Sequence, residues 1–318
     1  MNQRTIKANK TSNKVQVKST KMTVLKTFKV SKQYELLAFL FEKITNDSKN
    51  NIKRYLSNHQ VLVNGNCVTQ FNYLIYKEDV VQIVKDPVKK EEKAKIKLDI
   101  IYEDDELIVI NKPSGLLSIE SDHEKTNTAY RLLNDHVSKN DKKARVFTVH
   151  RIDKDTSGIL VVAKNDEAHN KLSEQLKNHS MKREYYALIE GRLKNDSGTI
   201  NKPIGRNKKD RLKMGIVEDG KHAVTHYEVL ERYNGYTLIK CILETGRTHQ
   251  IRVHMSSIGF PLVGDPVYGF KRQKFKLDGQ MLHAKTLGFI HPKTNEYMEF
   301  NSELPKYFRN IIDKLRNE

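Results

Sequence analysis

The sequence predicts an α+β protein in which a large mixed, mainly antiparallel sheet follows a small module of two helices and a hairpin. Three observations lead to this prediction. Strand-like apolar runs dominate residues 98–318, and the helical patterns between them show no regular alternation with the strands. Two helical patterns and a hairpin signal share residues 31–86. A charged segment with a proline, residues 87–97, separates the two regions and is predicted to be a linker.

The charge of the chain limits its partners. Its 57 Lys and Arg residues outnumber 39 acidic residues, which gives a net charge of +18 and a pI near 9.6. This balance favours binding to a polyanion, and nucleic acid is a better candidate than anionic lipid. The alternative explanation is that the charge only reflects an organism whose proteins are rich in lysine. Because the sequence has no long apolar run and no basic amphipathic helix with an aromatic face, we expect no membrane association.

The two cysteines, Cys67 and Cys241, lie far apart and show no CxxC spacing. This usage indicates a reducing cytoplasm and argues against a disulfide framework or a zinc site. The N-terminal segment lacks the apolar stretch of a signal peptide. We therefore expect a cytoplasmic protein.

Residues 1–30 hold eight Lys or Arg and no Asp or Glu. Large apolar residues are few, so most of the segment is predicted to be a disordered basic tail. Its last part, "MTVLKTFKV", alternates enough to predict an entering strand.

Residues 31–86 predict a compact module. "SKQYELLAFLFEKI" and "NNIKRYLSNHQ" have helical apolar spacing, and the second carries Lys53 and Arg54. "VLVNGNCVTQ" predicts a hairpin with its turn at Asn64-Gly65, and "KEDVVQIV" predicts the closing strand.

This module resembles the S4 RNA-binding domain through "HQVLVNGNCV" and "YKEDVVQI". It departs from that domain at its start, where "YELLAFL" stands in place of the usual Arg-Leu-Asp. The resemblance implies RNA binding, with Lys53 and Arg54 as candidate contacts. The alternative is an appendage for dimerisation or packing.

The strands predicted for residues 98–318 follow one another along the chain. "LDIIYEDDELIVINKP" predicts two strands around an acidic turn, "ILVVAK" another, and "DEAHNKLSEQLKNHS" a helix. Further strands are predicted at "REYYALIEGRL", "VTHYEVLERY", "YTLIKCILE", "MLHAKTLGFI" and "YMEFNS".

Three segments of this region concentrate polar side chains: "HRIDKDTSG", "REYYAL" and "ETGRTHQIRVHMSSIGFPLVGDPVYG". Taken singly, each has an ordinary explanation. Asp153 and Asp155 are typical of turns, and a tyrosine on a strand usually packs across the sheet. His249 and His254 are five positions apart, not the four of a helical zinc pair.

Taken together, the three segments resemble the signature segments of the RluA-type pseudouridine synthases. "VINKPSGLLS" and "MLHAKTLGFIHP" also look like this family, so the resemblance spans residues 98–306. It implies the pseudouridine synthase fold for residues 98–318, a uridine in RNA as substrate, no cofactor, no metal and no obligatory protein partner. An S4-like module in front is common among relatives that modify large-subunit ribosomal RNA, so we expect ribosomal RNA rather than transfer RNA.

The resemblance assigns roles to particular residues. Asp153 matches the catalytic aspartate, Tyr185 the active-site tyrosine, and Arg252 the basic residue that pairs with the aspartate. Ile152 stands where leucine is common, which is a mild apolar exchange. Arg151 matches an arginine that fills the space left by the displaced base. The remaining candidates for RNA binding are His150 and Arg247, the latter also being a second choice for the partner of the aspartate.

The chemistry fits these residue types. Pseudouridine formation breaks a glycosidic C–N bond and forms a C–C bond at C5 of the base, so no redox cofactor or nucleotide motif is needed. The carboxylate must be ionised, and a nearby guanidinium favours that form. Whether Asp153 adds to the sugar or the base, or abstracts a sugar proton, stays open.

Two other functions would explain part of the sequence. A catalytically silent RNA-binding or ribosome-assembly factor explains the charge and the N-terminal module but not the set of Asp153, Tyr185 and Arg252. A metal-dependent nuclease would use Asp153, Asp155 and Asp265, but such a site needs carboxylates without neighbouring cations.

Overall fold

Two units make up the chain in the computed structural model, one spanning Met1–Ile96 and the other Lys97–Glu318. The structure describes residues 23–88, 98–121, 124–139, 141–207, 210 and 213–318. The predicted basic tail therefore lies outside the described residues as far as position 22, and the predicted linker lies outside them from position 89 to 97.

The described part of the N-terminal unit contains two helices and six short strands. In chain order these are β1 (Val24–Lys29), β2 (Tyr34–Glu35), α1 (Leu36–Lys43), α2 (Lys49–Ser57), β3 (Val61–Val63), β4 (Asn66–Cys67), β5 (Leu74–Ile75) and β6 (Val80–Val84). A four-stranded antiparallel sheet has the order β1-β6-β3-β4, and β2 pairs with β5. Phe39 and Leu40 of α1 share one core with Ile52 and Leu56 of α2.

The predicted hairpin and entering strand are both present. Asn64 and Gly65 have φ angles of 50° and 77°, the left-handed pair that a tight hairpin turn requires, and they join β3 to β4. β1 pairs with β6 from Val24 to Lys29. Most side chains of β1 are exposed, as expected for an edge strand, and this is why its composition resembles that of the basic tail.

The C-terminal unit contains twelve described strands and four described helices. They are β7 (Asp99–Glu103), β8 (Leu107–Lys112), α3 (Ala129–Val137), β9 (Phe147–Thr148), β10 (Ser157–Ala163), α4 (Asp166–Lys177), β11 (Lys182–Glu190), β12 (Ser197–Asn201), β13 (Ile204–Arg206), β14 (Met214–Ile216), β15 (Val224–Tyr233), β16 (Tyr236–Leu243), α5 (Gln250–Ser257), β17 (Leu282–Ile290), β18 (Tyr297–Asn301) and α6 (Lys306–Arg316).

A ten-stranded sheet organises this unit, and its mixed, mainly antiparallel character confirms the predicted fold class. Its order is β12-β15-β16-β11-β17-β10-β8-β7, with β18 beside β17 and β9 beside β10. Only β10 and β17 pair in parallel among the described strands, through Ser157 with His283 and Gly158 with Ala284. Gly158 has φ +112°, and a Cβ there would lie 2.2 Å from the carbonyl oxygen of Ala284. Glycine therefore permits this close approach at the start of β10.

The helices pack against the sheet; α4 was predicted from the sequence, whereas α3, α5 and α6 were not. α3, α4 and α6 each bury one apolar face, whereas every residue of α5 from Gln250 to Met255 is buried. An eight-residue helix that is buried on all sides has no amphipathic pattern, so it was not predicted. Within the described part of the chain, none of the helices is long and apolar enough to cross a membrane.

Candidate active site

The loop that carries Asp153 enters β10 and is anchored by the segment that follows β8. Lys112 Nζ donates hydrogen bonds to the carbonyl oxygens of Leu116 (2.6 Å), Pro113 (2.9 Å) and Lys154 (3.0 Å). Ser118 Oγ donates to the carbonyl of Ile152 at 2.7 Å and accepts from its amide at 3.2 Å. The backbone is thereby held on both sides of Asp153.

Helix α5 brings Arg252 to this loop, and Gln250 fixes the start of the helix. The Gln250 side chain accepts hydrogen bonds from Thr245 Oγ1 (2.7 Å) and the Arg247 amide (3.0 Å), and it donates to the carbonyl of Val224 on β15 (2.9 Å). His249 precedes the helix with φ 58°, a left-handed conformation that is uncommon for a residue with a side chain. The turn between β16 and α5 is therefore tied to the sheet before Arg252 is reached.

Arg252 lies between two carboxylates. Its Nη1 donates to Asp153 Oδ2 at 3.1 Å, while Nε and Nη2 donate to the two oxygens of Asp265 at 2.7 and 3.0 Å. Burial alone would raise the pKa of Asp265, but Arg252 and the amides of Tyr268 and Val267 outweigh it and hold the pKa below its ordinary value. Burial alone would lower the pKa of Arg252, but its two partners raise it. Arg252 and Asp265 are therefore both charged near neutral pH.

Tyr268 and His249 complete the surroundings of this ion pair. The guanidinium of Arg252 lies 5.1 Å from the centroid of the Tyr268 ring, a cation–π contact. The Tyr268 hydroxyl accepts from the Met214 amide at 3.0 Å and shares a second hydrogen bond with His249 Nδ1 at 2.9 Å. His249 Nε2 lies 3.9 Å from Asp153 Oδ1, and burial lowers the pKa of this imidazole.

A cavity of about 420 Å³ opens in front of Asp153 and is bordered by Tyr185, Arg252 and Leu282. Its size falls in the range of small-ligand sites, about 300–1,000 Å³. Tyr185 lies on β11, opposite Cys241 and Ala284 of the neighbouring strands, and burial raises the pKa of its hydroxyl. The cavity can therefore hold a small ligand that contacts both the ion-paired carboxylate of Asp153 and the buried phenol of Tyr185.

Comparison with known proteins identifies the family. Residues 106–257 match the family model described as RNA pseudouridylate synthase. An uncharacterized RNA pseudouridine synthase of Bacillus subtilis, YlyB, is 47% identical over 274 residues, which cover 85% of this chain and 90% of that protein. The chain belongs to the RNA pseudouridine synthase family.

Other relatives of this pseudouridine synthase agree with the RluA-type resemblance. A protein named ribosomal large subunit pseudouridine synthase D from Pseudomonas aeruginosa is 44% identical over 235 residues, 70% of this chain and 73% of that one. The solved structure of human RNA pseudouridylate synthase domain containing 1 matches with a TM-score of 0.54 at 26% identity, over 72% of this chain and 98% of that one. Members of the family are isomerases, so this chain is an isomerase.

The predicted catalytic residues of this pseudouridine synthase come together at the cavity, and three of the predicted RNA-contacting residues, His150, Arg151 and Arg247, border it as well. Arg151 is exposed at the border of the cavity. Arg247 also borders it and donates from Nε to the carbonyl of His222 at 2.8 Å. His150 Nε2 accepts from the Val161 amide at 3.3 Å, and burial lowers the pKa of the ring to about 3, so His150 adds no positive charge. Lys53 and Arg54 are exposed on α2, in the other unit.

Asp155 lies on the other side of the loop from Asp153. It borders a second cavity, which does not include Asp153, and its pKa is raised by burial. Its backbone carbonyl accepts from Ser114 Oγ at 2.8 Å. These contacts fit the turn role predicted for Asp155.

The contacts of Arg252 argue against the nuclease alternative. Asp153 and Asp265 both hydrogen-bond to that guanidinium, and Asp155 faces a different cavity. A divalent cation would have to displace the arginine before two of these carboxylates could bind it together. No group of three or more potential metal ligands is found within the residues that the structure describes.

Sequence reasoning missed three supporting residues of the site: Asp265, Tyr268 and Lys112. Asp265 had been considered only as a metal ligand, although it lies with Tyr268 in "GDPVYG". A buried arginine that pairs with one carboxylate at a cavity needs a second acceptor for its remaining donors. That requirement pointed to an acidic residue near Arg252.

Asp265→Asn tests the role of Asp265 in holding Arg252. The amide keeps one oxygen but presents an NH₂ group to the guanidinium, so one of the two hydrogen bonds is lost and Arg252 loses its fixed orientation. A charge-assisted hydrogen bond contributes about 1.5–3 kcal/mol, so we expect kcat to fall about 10- to 100-fold. RNA affinity should change less than threefold. Tritium release from RNA labelled at C5 of uridine measures the rate.

Asp278→Asn is the matched control, since Asp278 is exposed in the same loop and does not border the cavity of Asp153. It should retain wild-type activity. Equal rates for Asp265→Asn and wild type would show that Asp265 does not position Arg252.

Proposed function

We propose that this pseudouridine synthase converts specific uridines of large-subunit ribosomal RNA to pseudouridine, with Asp153 as the catalytic carboxylate. The observation that carries the proposal is the Asp153–Arg252 ion pair at the border of the cavity that also contains Tyr185. In the reaction, the bond from C1′ to N1 breaks, a bond from C1′ to C5 forms, N1 gains a proton and C5 loses one.

Asp153 is suited to act while ionised. Its side chain is about one-fifth exposed, at 19%, and the guanidinium of Arg252 contacts one of its oxygens. The other oxygen faces His249 at 3.9 Å, beyond hydrogen-bonding distance. That oxygen is available to the substrate, either for addition to the sugar or base or for abstraction of a sugar proton.

Tyr185 and Arg151 serve the base and the RNA around it. The Tyr185 ring packs against the uracil, and its hydroxyl takes part in removing the proton from C5. A stacked base must leave the helix to reach the cavity, at a cost of roughly a few kcal/mol. Arg151, exposed at the border of the cavity, offsets this cost by stacking in the vacated position.

The choice of ribosomal RNA rests on relatives such as the Pseudomonas aeruginosa protein named ribosomal large subunit pseudouridine synthase D. Transfer RNA is the second choice. The composition of the chain, with two cysteines and a net charge of +18, supports a cytoplasmic location where ribosomal RNA is made.

The N-terminal unit is proposed to be an S4-like RNA-binding domain. Lys53 and Arg54 are exposed on α2, while Ile52 and Leu56 bury the other face of that helix. The helix thus presents two adjacent cations on a rigid support. Exposed cations at fixed positions are suited to RNA phosphates, which they neutralise with release of counterions.

Asp153→Asn tests the catalytic proposal. The substitution preserves the size of the side chain and removes its charge, so a positioned nucleophile or base is lost while the fold remains. Tritium release from C5-labelled uridine in ribosomal RNA should fall to background, and RNA affinity measured by filter binding should stay within a few-fold of wild type.

Asp155→Asn serves as the control and should retain most of the activity, because Asp155 faces the other cavity. A wild-type rate for Asp153→Asn would refute the mechanism. If the wild-type protein binds ribosomal RNA but releases no tritium from any cellular RNA, it is instead a silent RNA-binding factor.

A double variant, Lys53→Gln with Arg54→Gln, tests RNA binding by the N-terminal unit. Loss of two phosphate contacts should reduce the slope of log affinity against log salt by about 1.4, since each single-stranded phosphate contributes about 0.7. The control removes the same charge through Lys29→Gln and Lys43→Gln, whose ammonium groups already pair with Glu78 and Glu42. Equal slopes for the two double variants would show that α2 does not contact RNA phosphates.

A further inference from the structure

A buried arginine with no acidic partner among the described residues lies beside the proposed catalytic residues. Arg183 is on β11, two residues before Tyr185, and only 6% of its surface is exposed. None of the ion pairs found among the described residues includes Arg183. Burial lowers the pKa of this guanidinium, and the nearby Arg247 lowers it further.

The hydrogen bonds of Arg183 leave part of its guanidinium unused. Nη2 donates to the carbonyl oxygens of Glu244 at 2.8 Å and Leu243 at 3.4 Å, whereas the buried Nε has no partner. A Cβ on Gly246 would lie 2.7 Å from Nη1. Because Gly246 is exposed and has no side chain, it leaves an opening next to Nη1.

The cavity that Arg183 borders has an excess of positive charge. Its lining includes Arg151, Lys177 and Arg247 as well as Arg183 and the ion-paired Arg252, and Asp153 is the one carboxylate among its described lining residues. Asp153 already contacts Arg252. No second carboxylate among the described lining residues balances Arg183, which makes an anion from outside the protein a suitable partner.

We propose that Arg183 binds a phosphate group of the RNA backbone next to the target uridine, through the opening at Gly246. The inference rests on the proposed function, since it needs an RNA nucleotide in this cavity. A guanidinium fork fits phosphate oxygens, and the contact is strong where water is excluded. Arg183 thereby couples the position of the backbone to the position of the base over Tyr185.

Two substitutions and a modified RNA test this subsite. Arg183→Met removes the charge and preserves much of the buried stem. The substrates are a short RNA with the target uridine and copies of it with one uncharged methylphosphonate, placed 5′ or 3′ to that uridine. We expect Arg183→Met to lower kcat/KM on the unmodified RNA about 10- to 100-fold, the effect of losing one charge-assisted hydrogen bond. One of the two methylphosphonates should lower the wild-type value by a similar factor and leave that of Arg183→Met unchanged.

Lys182→Met is the matched control, because Lys182 precedes Arg183 on the strand and its Nζ pairs with Glu299 at 3.0 Å, outside the cavity lining. It should remain within twofold of wild type on every substrate. Gly246→Ala retains Arg183 but places a methyl group against Nη1, so it should lose activity and respond to the methylphosphonates as Arg183→Met does. If the thermal melting curve shows that Arg183→Met is unfolded, Gly246→Ala tests the phosphate subsite in its place.

Three results would overturn the subsite. One is wild-type kcat/KM for Arg183→Met on unmodified RNA. Another is a loss on both methylphosphonate RNAs that is as large in Arg183→Met as in wild type. The third is that the losses of kcat/KM from Arg183→Met and from the methylphosphonate multiply independently, and that the activity of Arg183→Met recovers at high pH. That result would make Arg183 a counter-ion for the Tyr185 phenolate. Each of these leaves the proposed function intact, whereas a wild-type protein without tritium release from any RNA would refute that function.

Discussion

The proposed catalytic site depends on the position of one guanidinium between two carboxylates. Asp265 takes two hydrogen bonds from Arg252 and is itself held by the amides of Val267 and Tyr268. This fully buried pair neutralises itself and fixes the plane of the guanidinium, so that Nη1 is directed at Asp153. Asp265 takes two of the hydrogen bonds of Arg252, whereas Asp153 takes one through Oδ2, which orients its carboxyl group. Removal of either acid would leave a buried charge incompletely compensated.

The fold brings the two halves of this ion pair together from distant parts of the chain. The loop with Asp153 is attached to the segment after β8 through Lys112 and Ser118. The turn before α5 is attached to β15 through Gln250. Both attachments end on the same sheet, and the parallel contact at Gly158 and Ala284 allows the Asp153 loop to enter it close to β17. Distances within the site are therefore set by the sheet, which is more rigid than the loops.

The sequence predicted the proposed catalytic residues better than the residues that hold them in position. Asp153, Tyr185 and Arg252 were predicted because their segments resemble those of a known family, and the strands were predicted because apolar alternation reports a sheet directly. Asp265, Tyr268 and Lys112 contribute through contacts that join separate segments, such as Asp265 with Arg252 and Lys112 with Lys154, and such contacts leave no periodic pattern in the sequence. Helix α5 was missed for a related reason, since a short helix buried on all sides lacks a polar face. Arg183 differs again, because an arginine on a strand is unremarkable until the absence of an acidic partner within the described chain is known.

A map of pseudouridine across all RNA from cells with and without this protein tests the account most directly. Without the protein, the map should lose one or a few positions in large-subunit ribosomal RNA, and expression of the wild-type chain should restore them. Transfer RNA should be unchanged. An identical map in the two kinds of cells, or losses confined to transfer RNA, would contradict the proposal that this pseudouridine synthase modifies the large ribosomal subunit.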